Sequence, residues 1–153
     1  MPAPATVRSA TVEDASALGR LRFRWRVAEQ GERGLDEDGF ITALAAWMGE
    51  HSDSHFPFMA EHDADPVGMA WLAIVDRIPG PETFVRRSAY VQSVYVVPEQ
   101  RSQGVGARLV TAALDHARSL GCMYVAVHHT EPSTTFYQRL GFTDPARVLE
   151  IRL

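Results

Sequence analysis

Val94-Tyr95-Val96-Val97-Pro98-Glu99-Gln100-Arg101-Ser102-Gln103-Gly104-Val105-Gly106-Ala107-Arg108-Leu109-Val110 is the stretch on which the reading of this chain turns. Its first residues close a segment, Ala89 to Val97, whose Val and Tyr content predicts a strand, and Pro98 ends the ladder by removing a donor. From Val105 to Leu120, Val105, Leu109, Val110, Ala113, Leu114 and Ala117 recur at helical spacing, and Gly121 is the stop. Between strand and helix stands Arg101-Ser102-Gln103-Gly104-Val105-Gly106. A loop entering a helix presents unpaired N–H groups and the positive end of the helix dipole, which favours a phosphate or pyrophosphate. Gly104 and Gly106 place no Cβ in the way, Gln103 to Gly106 can donate from the main chain into one concavity, and Arg101 adds a cation.

Other phosphate sites fit less well. A P-loop ends in Gly-Lys-Ser or Gly-Lys-Thr, whereas Ala107-Arg108-Leu109 follows here. A dinucleotide fingerprint asks for a third glycine where Leu109 stands and an acidic residue where His128 and His129 stand. An isolated Gly-x-Gly also serves as a tight strand-to-helix turn, so the surroundings must decide.

Outward from the loop, Met123 to His128 predicts a second strand, parallel to the first because a helix connects them. A short helix over about Ser133 to Leu140 follows, and Arg147 to Leu153 alternates like a strand. Upstream, Phe56 to His62 and Val67 to Val75 predict an antiparallel hairpin turning at Asp63-Ala64-Asp65-Pro66. Asp76 to Arg87, with Pro79-Gly80-Pro81, reads as a surface loop. Near the start, Thr6 to Ala10 predicts a short strand and Thr11-Val12-Glu13-Asp14 a capping box. A helix follows with Leu18, Leu21, Trp25 and Ala28 on its apolar stripe, and a second spans Asp36 to Glu50. Arg20, Arg22, Arg24 and Arg26 fall at every second position, which spreads them around a helix as a solvated surface. The pattern is one α/β domain with a mixed sheet.

Bulk properties narrow the partners. A chain of 153 residues buries a core without staples, and the formal net charge of -4, with no block of like charge, disfavours nucleic acid and anionic membrane. Met1 to Thr6 has neither the basic nor the apolar part of a signal peptide and no run is long enough to span a bilayer, so a cytoplasmic location is expected. Cys122, the only cysteine, opens an apolar run and is expected in the core. The histidines show no metal-binding spacing, and no metal is expected.

The stretch Val94 to Val110 resembles the acetyl-CoA signature of the Gcn5-related N-acetyltransferase (GNAT) superfamily, an Arg-or-Gln-x-x-Gly-x-Gly-or-Ala loop with its strand and helix. Phe136-Tyr137-Gln138-Arg139-Leu140-Gly141-Phe142 is similar to the segment that follows the fifth strand in the same superfamily. The resemblance implies a single GNAT domain over 1–153, with a mixed sheet of about six to seven strands, two N-terminal helices, a pyrophosphate-loop helix and a short C-terminal helix. It implies acetyl-CoA as cosubstrate, with the diphosphate on Gln103, Gly104, Val105 and Gly106 beside Arg101 and Ser102, and the pantetheine arm along Val94, Tyr95 and Val96. Tyr137 then falls on the family's general acid, and a main-chain N–H near Val94 to Val96 binds the developing oxyanion.

The match departs from the family in two places. Many relatives carry a glutamate base on the central strand, where this chain has Tyr90, Gln92 and Ser93. An ordered water or His128, His129 or Glu131 near the end of the following strand is the candidate base, His128 first among them by its strand-end position and as a residue type that titrates in the useful range. Thr130 stands where relatives often have an asparagine on the pantetheine arm. Trp25, Trp71 and Tyr90 are candidates for the acceptor cleft between the first helices and the central strands. The implied reaction is transfer to a primary amine of a small or amino-acid-like molecule. A peptide or protein N-terminus or lysine is the alternative acceptor, a non-catalytic acetyl-CoA-binding module the alternative function, and a homodimer the implied assembly.

Overall fold

The computed structural model describes residues 3–153, so Met1 and Pro2 of the stretch read for a targeting signal lie outside the described residues. Five strands form one sheet in chain order: Thr6–Ser9 (β1), His55–His62 (β2), Asp65–Arg77 (β3), Arg86–Val96 (β4) and Val125–Val127 (β5). The first four are antiparallel and β5 runs parallel to β4. The helices are Ala15–Phe23 (α1), Glu37–Glu50 (α2), Val105–Ser119 (α3) and Thr134–Arg139 (α4). No helix is long and apolar enough to cross a membrane among the described residues.

Local chemistry explains most of these boundaries. The Thr11 side chain accepts from the Glu13 N–H while Asp14 accepts from the Thr11 N–H at 2.9 Å, so the capping box forms, at the head of a 3₁₀ turn that leads into α1. Asp36 caps α2 by accepting from the Gly39 N–H at 2.8 Å. The β2–β3 turn is shorter than expected. Asp63 and Ala64 both take positive φ, 50° and 68°, which matches strand twist in a two-residue hairpin and lets Asp65 and Pro66 join β3.

One face of the sheet is covered by α3, whose Val105, Leu109, Val110, Ala113 and Ala117 are buried. Each of its valine and leucine side chains contributes about 1.5–3 kcal/mol through removal from water, and the alanines less. Gly68 of β3 lies beneath this helix, since a Cβ there would come within 3.1 Å of Leu109. The opposite face is covered by α1 and α2. Leu18, Leu21 and Met48 are buried there, and Trp47 of α2 meets Trp71 of β3 edge to face. Cys122 packs half-buried against the core, and burial pushes its thiol pKa up.

Three expectations fail here. The sheet has five strands, not six to seven. Arg147 to Leu153 forms no strand, and Val148, Leu149, Ile151 and Leu153 are exposed, because an alternating pattern orders only where a neighbour supplies the ladder. The first helix also changes pitch. Arg24–Glu29 is a π-helical turn, with the Gln30 N–H donating to the Trp25 carbonyl at 3.1 Å, so Ala28 leaves the apolar stripe and is exposed.

Candidate active site

The sheet opens between β4 and β5. The two strands pair only at Ala89 with Val125, Tyr90 with Ala126 and Val91 with Val127, while β4 continues to Val96. From Gln92 onward that edge of β4 has no strand partner among the described residues. The Val97 N–H donates to the Val67 carbonyl on the β3 side at 2.9 Å. Alternation therefore turns the polar groups of Val96 and Val94 toward the opening. The Val96 carbonyl there accepts from Arg101 Nε at 2.8 Å.

A bulge shapes the same strand. Its register against β3 passes from Gln92 opposite Trp71 to Tyr95 opposite Met69, and Ser93 between them takes φ 53°. Because paired residues share a face and Trp71 meets Trp47, Gln92 lies on the face beneath α1 and α2. Tyr90 and Tyr95 share that face through Ala73 and Met69. Gln92 is exposed although it is mid-strand, so this part of the sheet is the floor of an open cleft.

At the far end of the open edge stands the start of α3. Gly104, at φ 79°, precedes the helix with nothing within 4 Å of where a Cβ would be, and Ser102 is also left-handed at φ 62°. The first helical bond runs from the Arg108 N–H to the Gly104 carbonyl. The N–H groups of Gln103, Gly104, Val105 and Gly106 meet no acceptor among the described residues. The donor set suits a diphosphate. Gly106 has a packing role as well: a Cβ there would sit 3.4 Å from the Phe136 ring of α4.

Tyr137 is buried, with ring centroids 4.9 Å from Phe136 and 5.5 Å from Phe142. Burial raises its pKa, so the phenol keeps its proton. His128 and His129, just past β5, diverge as neighbours on an extended chain do: His128 lies 6.3 Å from Tyr90, and His129 6.3 Å from Tyr137. His129 Nδ1 is 3.0 Å from the Thr134 hydroxyl. The Thr130 hydroxyl is 3.4 Å from that of Ser133. Trp71 is buried beneath Trp47, and Tyr90 is half-buried.

Trp25 stacks on Tyr95 at 5.5 Å, held there by the π-helical turn. Glu29 of the same turn accepts from the Tyr95 hydroxyl and, at 3.1 Å, from Arg101 Nη2. Burial first, and Glu29 second, push the Tyr95 pKa up to about 12. Arg101 is thus tied to Glu29 and β4, with its guanidinium 5.6 Å from the Tyr95 ring centre. Nothing in the sequence pattern singled out Glu29, whose partners lie 66 and 72 positions away.

Nor did it single out Arg22. Of the four alternating arginines, Arg24 pairs with Glu99 at 2.8 Å, Arg26 with Glu32 at 2.8 Å, and Arg20 lies 3.7 Å from Glu37. Arg22 departs from the solvated surface expected of it: it is half-buried and donates to Ser93 Oγ at the bulge, 2.7 Å away. It also lines a cleft of about 220 Å³ walled by α1, the π-helical turn and the start of α2.

A model of the acetyltransferase (GNAT) family matches residues 20–142. Aminoglycoside N(6′)-acetyltransferase type 1 of Klebsiella aerogenes is 37% identical over 89 residues, 56% of this chain and 57% of that protein. Glucosamine 6-phosphate N-acetyltransferase 1 of Oryza sativa subsp. japonica is 31% identical over 84 residues, 53% of this chain and 51% of that protein. The chain thus spans little more than half the length of these relatives. A predicted acetyltransferase with acetyl-CoA from Clostridium acetobutylicum shares the fold, with a TM-score of 0.78 at 20% identity over 97% of this chain and 96% of that one. With its open β4 edge running into the glycine-rich start of α3, the chain belongs to the acetyltransferase (GNAT) family.

Proposed function

We propose that the protein is an N-acetyltransferase that moves the acetyl group of acetyl-CoA to a primary amine of a small acceptor by direct attack in a ternary complex. The observation that carries this is the unpaired edge of β4, Gln92 to Val96, leading to the unpartnered N–H groups at the start of α3. The diphosphate takes Gln103 to Gly106, with Ser102 and Arg101 beside it. The pantetheine arm runs along Val94, Tyr95 and Val96, with Thr130 across the opening.

The acceptor approaches from the cleft under α1 and α2, over Gln92 and between Trp25 and Tyr90, with Trp71 supporting the floor from beneath. Its nitrogen attacks the thioester carbonyl carbon, forming the C–N bond as the C–S bond breaks. A proton leaves nitrogen for His128, directly or through water, and the departing sulfur takes one from the Tyr137 hydroxyl. A main-chain N–H at Val94 or Val96 binds the carbonyl oxygen as charge develops on it. The neighbouring cleft lined by Arg22, Phe23, Arg26 and Arg33, of about 220 Å³, is the size of a small molecule rather than of an extended peptide. The relatives above are named for small-molecule acceptors, an aminoglycoside and glucosamine 6-phosphate, which supports an acceptor of small size without fixing its charge.

Calorimetric titration with acetyl-CoA, followed by acceptor-dependent thiol release over a panel of amines, amino acids, amino sugars and peptides, tests the proposal. All fifteen basic residues of the chain are arginine, so acetylation of the enzyme's own lysines adds no background. Failure to bind acetyl-CoA overturns the reading of Gln103 to Gly106. Binding without release on any acceptor favours the non-catalytic module, for which the lack of a central-strand glutamate, where Tyr90, Gln92 and Ser93 stand, and Thr130 in place of asparagine are the support.

A further inference from the structure

The charge around the 220 Å³ cleft is one-sided. Arg22, Arg26 and Arg33 line it against a single acid, Glu32. Arg26 and Glu32 neutralise each other at 2.8 Å, while Arg22 and Arg33 have no carboxylate within ion-pair distance among the described residues. Arg22 is the unusual group. It is half-buried, its one protein hydrogen bond goes to the neutral Ser93 hydroxyl at 2.7 Å, and burial lowers its pKa. A guanidinium nonetheless stays charged in a protein and carries five N–H donors. Four of those donors lack a protein acceptor among the described residues. A half-buried cation in that condition favours a ligand that brings its own negative charge.

Its location says which ligand. Ser93 is the bulge residue between Gln92 on the cleft floor and Val94 on the open edge. An anion held by Arg22 therefore sits beside the site of acetyl transfer, close enough to belong to the same small molecule as the amine. We propose that the acceptor carries an anionic group, a carboxylate or a phosphate, and that Arg22, seconded by Arg33, binds it at the bulge of β4. The amine half of the proposal rests on the transferase reading above, whereas the anion site stands on the cleft alone. Polycationic acceptors such as aminoglycosides meet like charge there and are poor substrates.

The Arg22 and Arg26 guanidinium carbons each lie 5.9 Å from the Trp25 ring centre, so tryptophan emission reports on occupancy. Inorganic phosphate and N-acetylglycine, a carboxylate that cannot be acetylated again, are titrated against that emission without acetyl-CoA. Saturable responses are expected, weakened on the order of 10- to 100-fold in Arg22→Gln and less in Arg22→Lys, while the Kd for acetyl-CoA is retained. Arg33→Gln, an exposed change that leaves the fold intact, must weaken the response too.

Acceptors are then compared in pairs by thiol release: glucosamine 6-phosphate with glucosamine, phosphoethanolamine with ethanolamine, amino acids with their amides. The anionic member should win on kcat/KM, its advantage should fall toward one in Arg22→Gln, and the better anion names the class. Equal or faster turnover of the neutral members or of polyamines overturns the proposal, as does an anion response that Arg22→Gln and Arg33→Gln leave unchanged. An Arg22-dependent anion response with no thiol release from any acceptor keeps the anion site and removes the transferase.

Discussion

Replacing Tyr137 with phenylalanine removes one oxygen and leaves the ring between Phe136 and Phe142, at 4.9 Å and 5.5 Å. The hydroxyl has no hydrogen-bond partner among the described residues, so the fold loses no bond and stability in urea should change by less than about 1 kcal/mol. If the hydroxyl protonates the departing sulfur, kcat falls roughly 100- to 10,000-fold, or about 3–5 kcal/mol of barrier, while the calorimetric Kd for acetyl-CoA stays within about twofold. The pH profile adds a sign. Burial raises the Tyr137 pKa, so the proton-bearing form persists as pH rises and the alkaline limb of kcat/KM lies above the ordinary tyrosine value of about 10. The variant should lose that limb along with its rate. A kcat within twofold of the parent, or equal losses in affinity and turnover, would refute the assignment and leave Tyr137 as a packing residue.

His128→Gln should lower kcat/KM for the amine on the order of 100-fold with acetyl-CoA affinity intact; an unchanged kcat/KM moves the base elsewhere. Gly104→Ala meets no atom within 4 Å but must hold φ 79°, so it should cost about 1–2 kcal/mol in urea denaturation and weaken acetyl-CoA binding by calorimetry; an unchanged Kd argues against diphosphate contact there. The Arg8 guanidinium, aided by the Thr11 N–H, holds the Asp14 carboxyl below its ordinary pKa. Such a group adds stability above its unfolded pKa that is lost as pH falls through the folded value. Asp14→Asn should therefore be less stable by about 1 kcal/mol at pH 7 and lose less on acidification from pH 5 toward pH 3; parallel curves for parent and variant would exclude the linkage.

The strand, glycine loop and helix from Ala89 to Leu120 were legible in the sequence because each determinant acts on its own neighbours. Pro98 withholds a donor, Gly104 accepts a left-handed backbone, and the apolar residues of α3 repeat with the helical turn. The Thr11 capping box and the β2–β3 hairpin are short-range in the same sense. Tertiary contact decided the rest. Arg22 meets Ser93 across 71 positions and Glu29 meets Tyr95 across 66, through a π-helical turn and a strand bulge that no residue pattern announces. Arg147 to Leu153 has the alternation of a strand and no strand beside it, which is why the sheet stops at five. Local hydrogen bonding and sterics can be read along a chain. The phase of a helix, the register of a strand and the partner of a half-buried charge depend on residues far apart in sequence, and they shape the cleft beside β4.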